Sequence, residues 1–487
     1  MASTPTPPND RPTATLAISA LATLAVFLDT TILFVAFPDV TASFADAGPT
    51  TLSWVLNAYT IVFAALLVPA GKLADRIGHR RTFLIGSVVF TIASMACGLA
   101  STVELLIGFR IAQAVGGAVL IPSSLALVMR AFPPAGIPKA VAIWGAAGAV
   151  AGALGPTLGA AVVDGLGWRW AFFINLPVGV LTVVAGARVL NESSDPTVRV
   201  PSGVGVVLIA AAAAALSYAV VNTEEVGWLD PATFALGAVG IVLAAAFITH
   251  QRRTAAPSLD LELFSIGNFR WGNLAGLAFG TAFSAMFFGS ILFLTDVWGW
   301  SILTAGFAVA PGPGLVALLA PRMGALAGRI GQRPLLIWGG VFFALGGAWR
   351  VVFLDESPDY VVEYLPSMLL TGAGVACCLP QLSSVVAQAV PLSRIGVGGA
   401  VLQAVRQFGG TFGVALTIAF IGRPTSVADA LAGFDRIWWL IVAGGLATSA
   451  LSAPLRTGSA ATSPRSRAGD DVGPDAPGAT LGAEPAS

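Results

Sequence analysis

Charge is what this sequence most lacks. Only 10% of its 487 residues are Asp, Glu, Lys or Arg, against about 25% in a soluble globular chain. With 56% hydrophobic residues and a mean hydropathy of +0.83, most of the chain is suited to lipid and not to water. The 25 basic and 25 acidic residues cancel, so there is no basic excess to neutralise phosphates, and nucleic acid is not an expected partner. Cysteine is nearly absent. Cys97, Cys377 and Cys378 all lie in apolar runs and offer neither a disulfide framework nor metal-ligand spacing. The two histidines, His79 and His250, stand in charged loops far from them. No metal and no cofactor are expected. No His/Asp/Glu cluster, nucleotide loop or embedded nucleophile pair has catalytic spacing, which argues against an enzyme. Lysine is scarce too: Lys72 and Lys139 stand against 23 arginines. With abundant Ala, Gly and Pro, this composition implies a GC-rich coding sequence and a bacterial source.

What is present is a series of long apolar runs. A membrane-spanning helix needs roughly 20 mostly apolar residues. Fourteen runs qualify: 14–38, 50–71, 82–100, 104–129, 138–163, 170–190, 202–222, 231–249, 269–295, 303–320, 334–354, 362–388, 397–421 and 436–455. The first is too long for a signal-peptide core and carries Asp29, so it reads as a retained span. The expected fold class is an all-α membrane protein. Residues 1–13 form a Pro/Thr-rich leading segment, 14–190 a six-helix bundle, and 191–250 a linker with two extra spans. Residues 251–268 form an interfacial loop, 269–455 a second six-helix bundle, and 456–487 a Ser/Pro/Gly-rich tail expected to be disordered.

Basic residues set the orientation. With the N-terminus in the cytoplasm, nineteen of the 25 fall on the cytoplasmic side. Four fall outside (Arg169, Arg350, Arg423, Arg436) and two within spans (Arg110, Arg406). Both termini are therefore expected in the cytoplasm. A repeat supports the two-bundle division: Gly71-Lys-Leu-Ala-Asp-Arg-Ile-Gly-His-Arg80 recurs as Gly324-Ala-Leu-Ala-Gly-Arg-Ile-Gly-Gln-Arg333, with seven of ten positions identical at an offset of 253. Each copy sits between the second and third spans of its set, the mark of a duplicated transporter half. Glycines allow a tight turn there. Asp75 is placed to pair with the arginines or to cap a neighbouring helix. The second copy has Gly328 in place of that acid.

Several motifs resemble the major facilitator superfamily. Gly71, Asp75, Arg76, Gly78, Arg80 and Arg81 are similar to its loop signature, and the resemblance implies a conformational latch, here one-sided. Arg110-x-x-Gln113-x-x-Gly116 resembles its fourth-span motif, with Ala114 in place of a glycine. In the fifth span, Gly145, Gly148, Gly152, Gly155, Pro156 and Gly159 resemble the antiporter signature. Small residues three and four apart let another helix backbone approach, and Pro156 permits a bend. Leu28-Asp29-Thr30-Thr31 through Phe37-Pro38 is similar to the first-span motif of the fourteen-span drug:proton antiporters (the EmrB/QacA type), with Phe34 where that branch has Asn. Trp168-Arg169-Trp170 through Asn175-Leu176-Pro177-Val178-Gly179, with Trp54, Tyr59 and Arg406-Gln407-Phe-Gly409-Gly410, also resembles that branch.

The resemblance implies proton-coupled export of amphipathic drugs or an antibiotic by alternating access, from a bacterial inner membrane. The partners are then a small-molecule substrate, protons and the bilayer, and the chain acts as a monomer. A symporter on the same fold and a non-transporting scaffold are the alternatives. The fifth-span glycines argue against the first, and the acid in the first span against the second. Ionisable groups inside spans are costly and are functional candidates. At about 1.5 Å per residue, Asp29 lies roughly 13 Å and Arg110 roughly 9 Å from the outer surface, so they can meet. A permanent pair only fixes packing, whereas a switchable pair exchanges a proton; the motifs favour the second. Arg406 has no acid at its depth and is either structural or gating. Trp54, Asn57, Tyr59, Gln113, Gln381, Gln388 and Gln403 are candidate cavity residues. Phe279, Phe283 and Phe287 read as a packing or lipid-facing stripe. A single deep acid suits neutral or monocationic cargo.

Overall fold

The computed structural model describes residues 11–457, apart from 134–135, 392–394 and 423. The first ten residues, Arg423 and most of the expected disordered tail thus lie outside the described residues. Twenty-residue apolar runs become helices because, without water, the backbone must satisfy its own hydrogen bonds. Six helices come first: α1 (Pro12–Ser43), α2 (Pro49–Ile77), α3 (His79–Gly98), α4 (Val103–Ala131), α5 (Ile137–Leu166) and α6 (Trp170–Val189). Two extra helices, α7 (Gly203–Val221) and α8 (Pro231–Arg253), follow. The second set is α9 (Gly267–Val297), α10 (Ile302–Ile330), α11 (Gln332–Phe353), α12 (Tyr360–Gln388), α13 (Ile395–Ile421) and α14 (Val427–Ser452). Thirteen are continuous spans by length and composition, and α5, a pair of segments meeting at 44°, makes fourteen.

The chain is punctuated by local chemistry. The Thr102 side chain accepts the Leu105 N–H to start α4, and that of Ser426 accepts the Asp429 N–H to start α14. The Ser426 cap explains why α14 begins nine residues before its apolar run. One glycine joins α2 to α3 and another joins α10 to α11, with φ of 121° at Gly78 and 82° at Gly331. Those left-handed values favour glycine, and the two positions correspond in the repeat.

The two sets pack alike. In each, the first helix meets the fifth and sixth, the third meets the fourth and sixth, and the second meets the fourth. Between the sets, the Thr60 and Thr411 hydroxyls of α2 and α13 share a hydrogen bond at 2.8 Å. Phe34 and Phe37 of α1 pack on Phe287 and Phe288 of α9. Gly306 of α10 meets Pro156 and Ala160 of α5. These joints run from mid-depth to the end of the bundle that carries Trp168. Toward the opposite end, which carries Asp75, Gly145 of α5 and Gly314, Gly324 and Gly328 of α10 border open space. The Phe279–Phe283–Phe287 stripe is inward packing: Phe279 meets Phe343, and Phe287 meets Phe34.

The extra helices take one flank. α7 packs on both α2 and α13, and α8 packs on α7. Tyr218 of α7 meets Trp54 of α2, and Trp228 meets Phe420 of α13. Lys72 at the end of α2 donates to the Pro257 carbonyl at 2.6 Å, tying the loop after α8 to the first set.

Candidate functional site

Four helices of the first set converge on one carboxylate. Asp29 of α1 is 2% exposed and Arg110 of α4 is 1% exposed. Arg110 Nη1 donates to Asp29 Oδ2 at 2.6 Å. Asp29 Oδ1 accepts from Gln113 Nε2 at 2.7 Å and from Asn175 Nδ2 of α6 at 3.0 Å. Ser94 of α3 accepts the other bond from Asn175 Nδ2, also at 3.0 Å. The depths read from the sequence thus do bring Asp29 and Arg110 together, one turn from Gln113.

Arg110 does not depend on Asp29 alone. Its Nη1 also donates to Gln113 Oε1 at 2.7 Å, and its Nε to the Val55 carbonyl at 3.3 Å. The Tyr59 ring lies 4.0 Å beneath the guanidinium. A buried ion that loses its counter-ion is strongly destabilised. Here Arg110 has a carbonyl, an amide oxygen and a ring face as partners besides Asp29.

The fifth-span motif meets this site from the side. Gly148 lies against the Phe27 ring, Gly155 against the Thr31 hydroxyl and Gly159 against the backbone of Ile32. The Thr31 hydroxyl donates to the Ala151 carbonyl at 3.3 Å. Backbone therefore packs on side chain within a turn of Asp29. Gly152 faces open space, and the Pro156 carbonyl faces Gly306 of the second set.

At the Asp75 end, Asp75 stands 3.3 Å from His79 Nε2 and, among the described residues, forms no ion pair with an arginine. Glu192, just past α6, accepts the backbone N–H groups of both Arg80 and Arg81 at 3.1 Å. It is the acid that caps α3, favourable at a helix N-terminus. A side chain at Gly78 would strike that carboxylate, and one at Gly71 would reach Pro122. Arg80 donates to the Ala187 carbonyl at 2.7 Å, and Arg76 is exposed.

Other candidates scatter. Trp54 faces Tyr218 of the extra helix α7. Asn57, Tyr59 and Gln381 are buried, with Asn57 Oδ1, Tyr59 OH and Gln381 Nε2 lacking hydrogen-bond partners. Gln388 donates to Ser384 at 2.8 Å. Gln403 and Arg406 are half-buried on α13.

Arg350 corrects the sequence reading. It is no outer-loop residue: it is 0% exposed inside the second set. It donates to Ser367 Oγ at 3.0 Å, Ser290 Oγ at 2.7 Å and Met368 Sδ at 3.1 Å. Its guanidinium lies 4.7 Å from the Trp438 ring and 5.2 Å from the Tyr364 ring. Its partners sit on the first, fourth and sixth helices of their set, as Asp29, Arg110 and Asn175 do in theirs. At the repeat offset, Arg350 corresponds to Cys97, whose thiol lies 3.8 Å from Gln113 Oε1. The signal was present, since the apolar run continues past Arg350 to Phe353.

The Major Facilitator Superfamily model matches residues 19–414. The chain belongs to that superfamily. It is 36% identical over 408 residues to the multidrug resistance protein Stp of Mycobacterium tuberculosis, covering 82% of this chain and 74% of that one. It is 31% identical over 414 residues to the tetracenomycin C resistance and export protein of Streptomyces glaucescens, covering 83% and 75%. The multidrug export protein EmrB of Escherichia coli is 30% identical over 410 residues, covering 83% and 78%. Among solved structures, a peptide transporter POT bound to sulfate matches at TM-score 0.64 and 17% identity, over 90% of this chain and 93% of that one. A D-xylose-proton symporter matches at 0.63 and 15%, over 90% and 97%. The fold is thus two six-helix bundles with two extra helices, and the protein is a multi-pass membrane transporter, not an enzyme.

Proposed function

We propose that this chain exports amphipathic drugs or secondary metabolites in exchange for protons by alternating access. The observation that carries the reading is the Asp29 cluster. Among the described residues, it holds the ion pair with both side chains 1% exposed, and its cation has other acceptors. The resistance and export proteins related to it support the direction of transport. In this reading the Asp75 end faces the cytoplasm of a bacterial inner membrane, both termini lie there, and the joined Trp168 end faces outward. The two six-helix sets rock about the Thr60–Thr411 contact, the chain acts as a monomer, and the Gly71–Arg81 loop latches the alternate state.

Each cycle would proceed at Asp29. Loss of Arg110 to Gln113 and Val55 frees the carboxylate to take a proton, and restoring the pair releases it. Moving an ionised acid to mid-bilayer costs about 2.5–3.5 kcal/mol, so the reorientation step favours the neutral or paired form. The test is transport in everted vesicles under an imposed pH gradient. Asp29→Asn should insert normally and lose gradient-driven accumulation. Accumulation at the wild-type rate in that variant would make Asp29 structural.

A further inference from the structure

We propose that α13 carries a subsite for an oxyanion, formed by Gln403, Arg406 and Gln407, which selects acidic amphiphiles such as aromatic carboxylates, sulfonates or phenolates. The proposal rests on the exporter reading above and names its substrate class.

The three side chains occupy adjacent positions on one turn of α13 and are all half-buried. Among the described residues, none of the three has a hydrogen-bond, ion-pair or ring partner for its side-chain polar group, whereas the Thr411 hydroxyl one turn on is bonded to the Gln407 carbonyl and to Thr60. The turn lies at the seam between the sets. The Arg406 backbone packs on Gly280 of α9 and its Cγ over Gly276, while Thr411 bonds across to Thr60. Ala404 and Phe408, between and beside the donors, join an apolar cluster with Tyr59 and Phe63 of α2.

Charge decides what fits there. Three donors already fill the Asp29 carboxylate. Two hydroxyls, a thioether and two rings enclose Arg350. Arg406 is left as a cation of the spanning helices with empty donors. A guanidinium withdrawn from water without an anion is costly, and its planar fork matches a carboxylate or sulfonate in bidentate fashion. The amides of Gln403 and Gln407 add further donors, and the Phe408 side supplies apolar wall for a ring system. The expectation of neutral or cationic cargo rested on Asp29 as a lone acid, but that acid's charge is not presented to cargo.

The test uses two dyes of one ring skeleton in everted vesicles under a pH gradient: 8-anilino-1-naphthalenesulfonate and uncharged N-phenyl-1-naphthylamine. Wild type should accumulate the sulfonate about tenfold faster than the neutral dye. Arg406→Gln should collapse that ratio toward one, and Arg406→Lys should restore part of it. If Arg406→Gln fails to insert, the double variant Gln403→Ala/Gln407→Ala should lower the ratio several-fold. A ratio unchanged by Arg406→Gln or by the double variant overturns the subsite. Gradient-driven transport of tetraphenylphosphonium but not of the sulfonate overturns the subsite and leaves the exporter reading standing. No gradient-driven movement of any probe overturns both.

Discussion

Gln113 stands between the members of the buried pair: its Oε1 accepts from Arg110 at 2.7 Å while its Nε2 donates to Asp29 at 2.7 Å. One amide thus bonds both members of the pair. Asn175, by contrast, donates to the carboxylate and to Ser94, each at 3.0 Å, and touches the acid's side of the pair.

Asn175→Leu removes one of the three donors to the Asp29 carboxylate and the donor to Ser94. A hydrogen bond to a charged group contributes about 1.5–3 kcal/mol, so gradient-driven transport should fall several-fold while the protein still inserts. Transport in vesicles at the wild-type rate contradicts the assignment.

Glycines of the fifth-span motif should not behave alike. A methyl at Gly155 meets the Thr31 hydroxyl, whereas one at Gly152 meets nothing. Gly155→Ala should slow export about tenfold through a displaced α1–α5 contact, since overpacking costs about 1–3 kcal/mol. Gly152→Ala should stay near wild type. Equal losses in a dye-efflux assay would place the motif's role elsewhere.

The loop at the Asp75 end separates three roles. Glu192→Ala unfastens the N-terminus of α3 and should lower thermal stability in detergent by about 1 kcal/mol, the size of a lost cap. Asp75→Asn should leave stability near wild type and impair transport. Gly328→Asn, in the copy without an acid and bordering open space, should affect transport less than Asp75→Asn. Equal transport losses at Asp75 and Gly328 would remove the one-sided latch.

Arg350 offers a control for the proton site. Arg350→Leu leaves Ser290 and Ser367 without their donor inside the second set and should cost about 1–3 kcal/mol of stability. Lysine cannot span the same three acceptors, so Arg350→Lys should recover little. Because no acid contacts Arg350 among the described residues, the pH profile of residual transport should keep its wild-type midpoint. Thermal melts and vesicle transport read the two effects separately.

Spans were legible because 20-residue apolar runs admit few alternatives in lipid. Boundaries were less so: the α14 start depends on the Ser426 cap, and a rule that sorts basic residues into loops misplaced Arg350. Asp29 and Arg110 were paired from depth alone, since both deviate from the apolar pattern. Glu192 was not legible, because only the fold brings it to the backbone of Arg80, 112 residues away. Nor was the position of Trp54, because composition does not say which helix an added pair will lean on.

That added pair makes the transporter unequal on its two flanks. On one side, α7 lies across α2 and α13, with Tyr218 on Trp54 and Trp228 on Phe420. On the other, α5 and α10 meet directly near Gly306. Any rocking of the two sets about their seam would have to carry the added pair with it, as a brace bolted across one side of a hinge is carried.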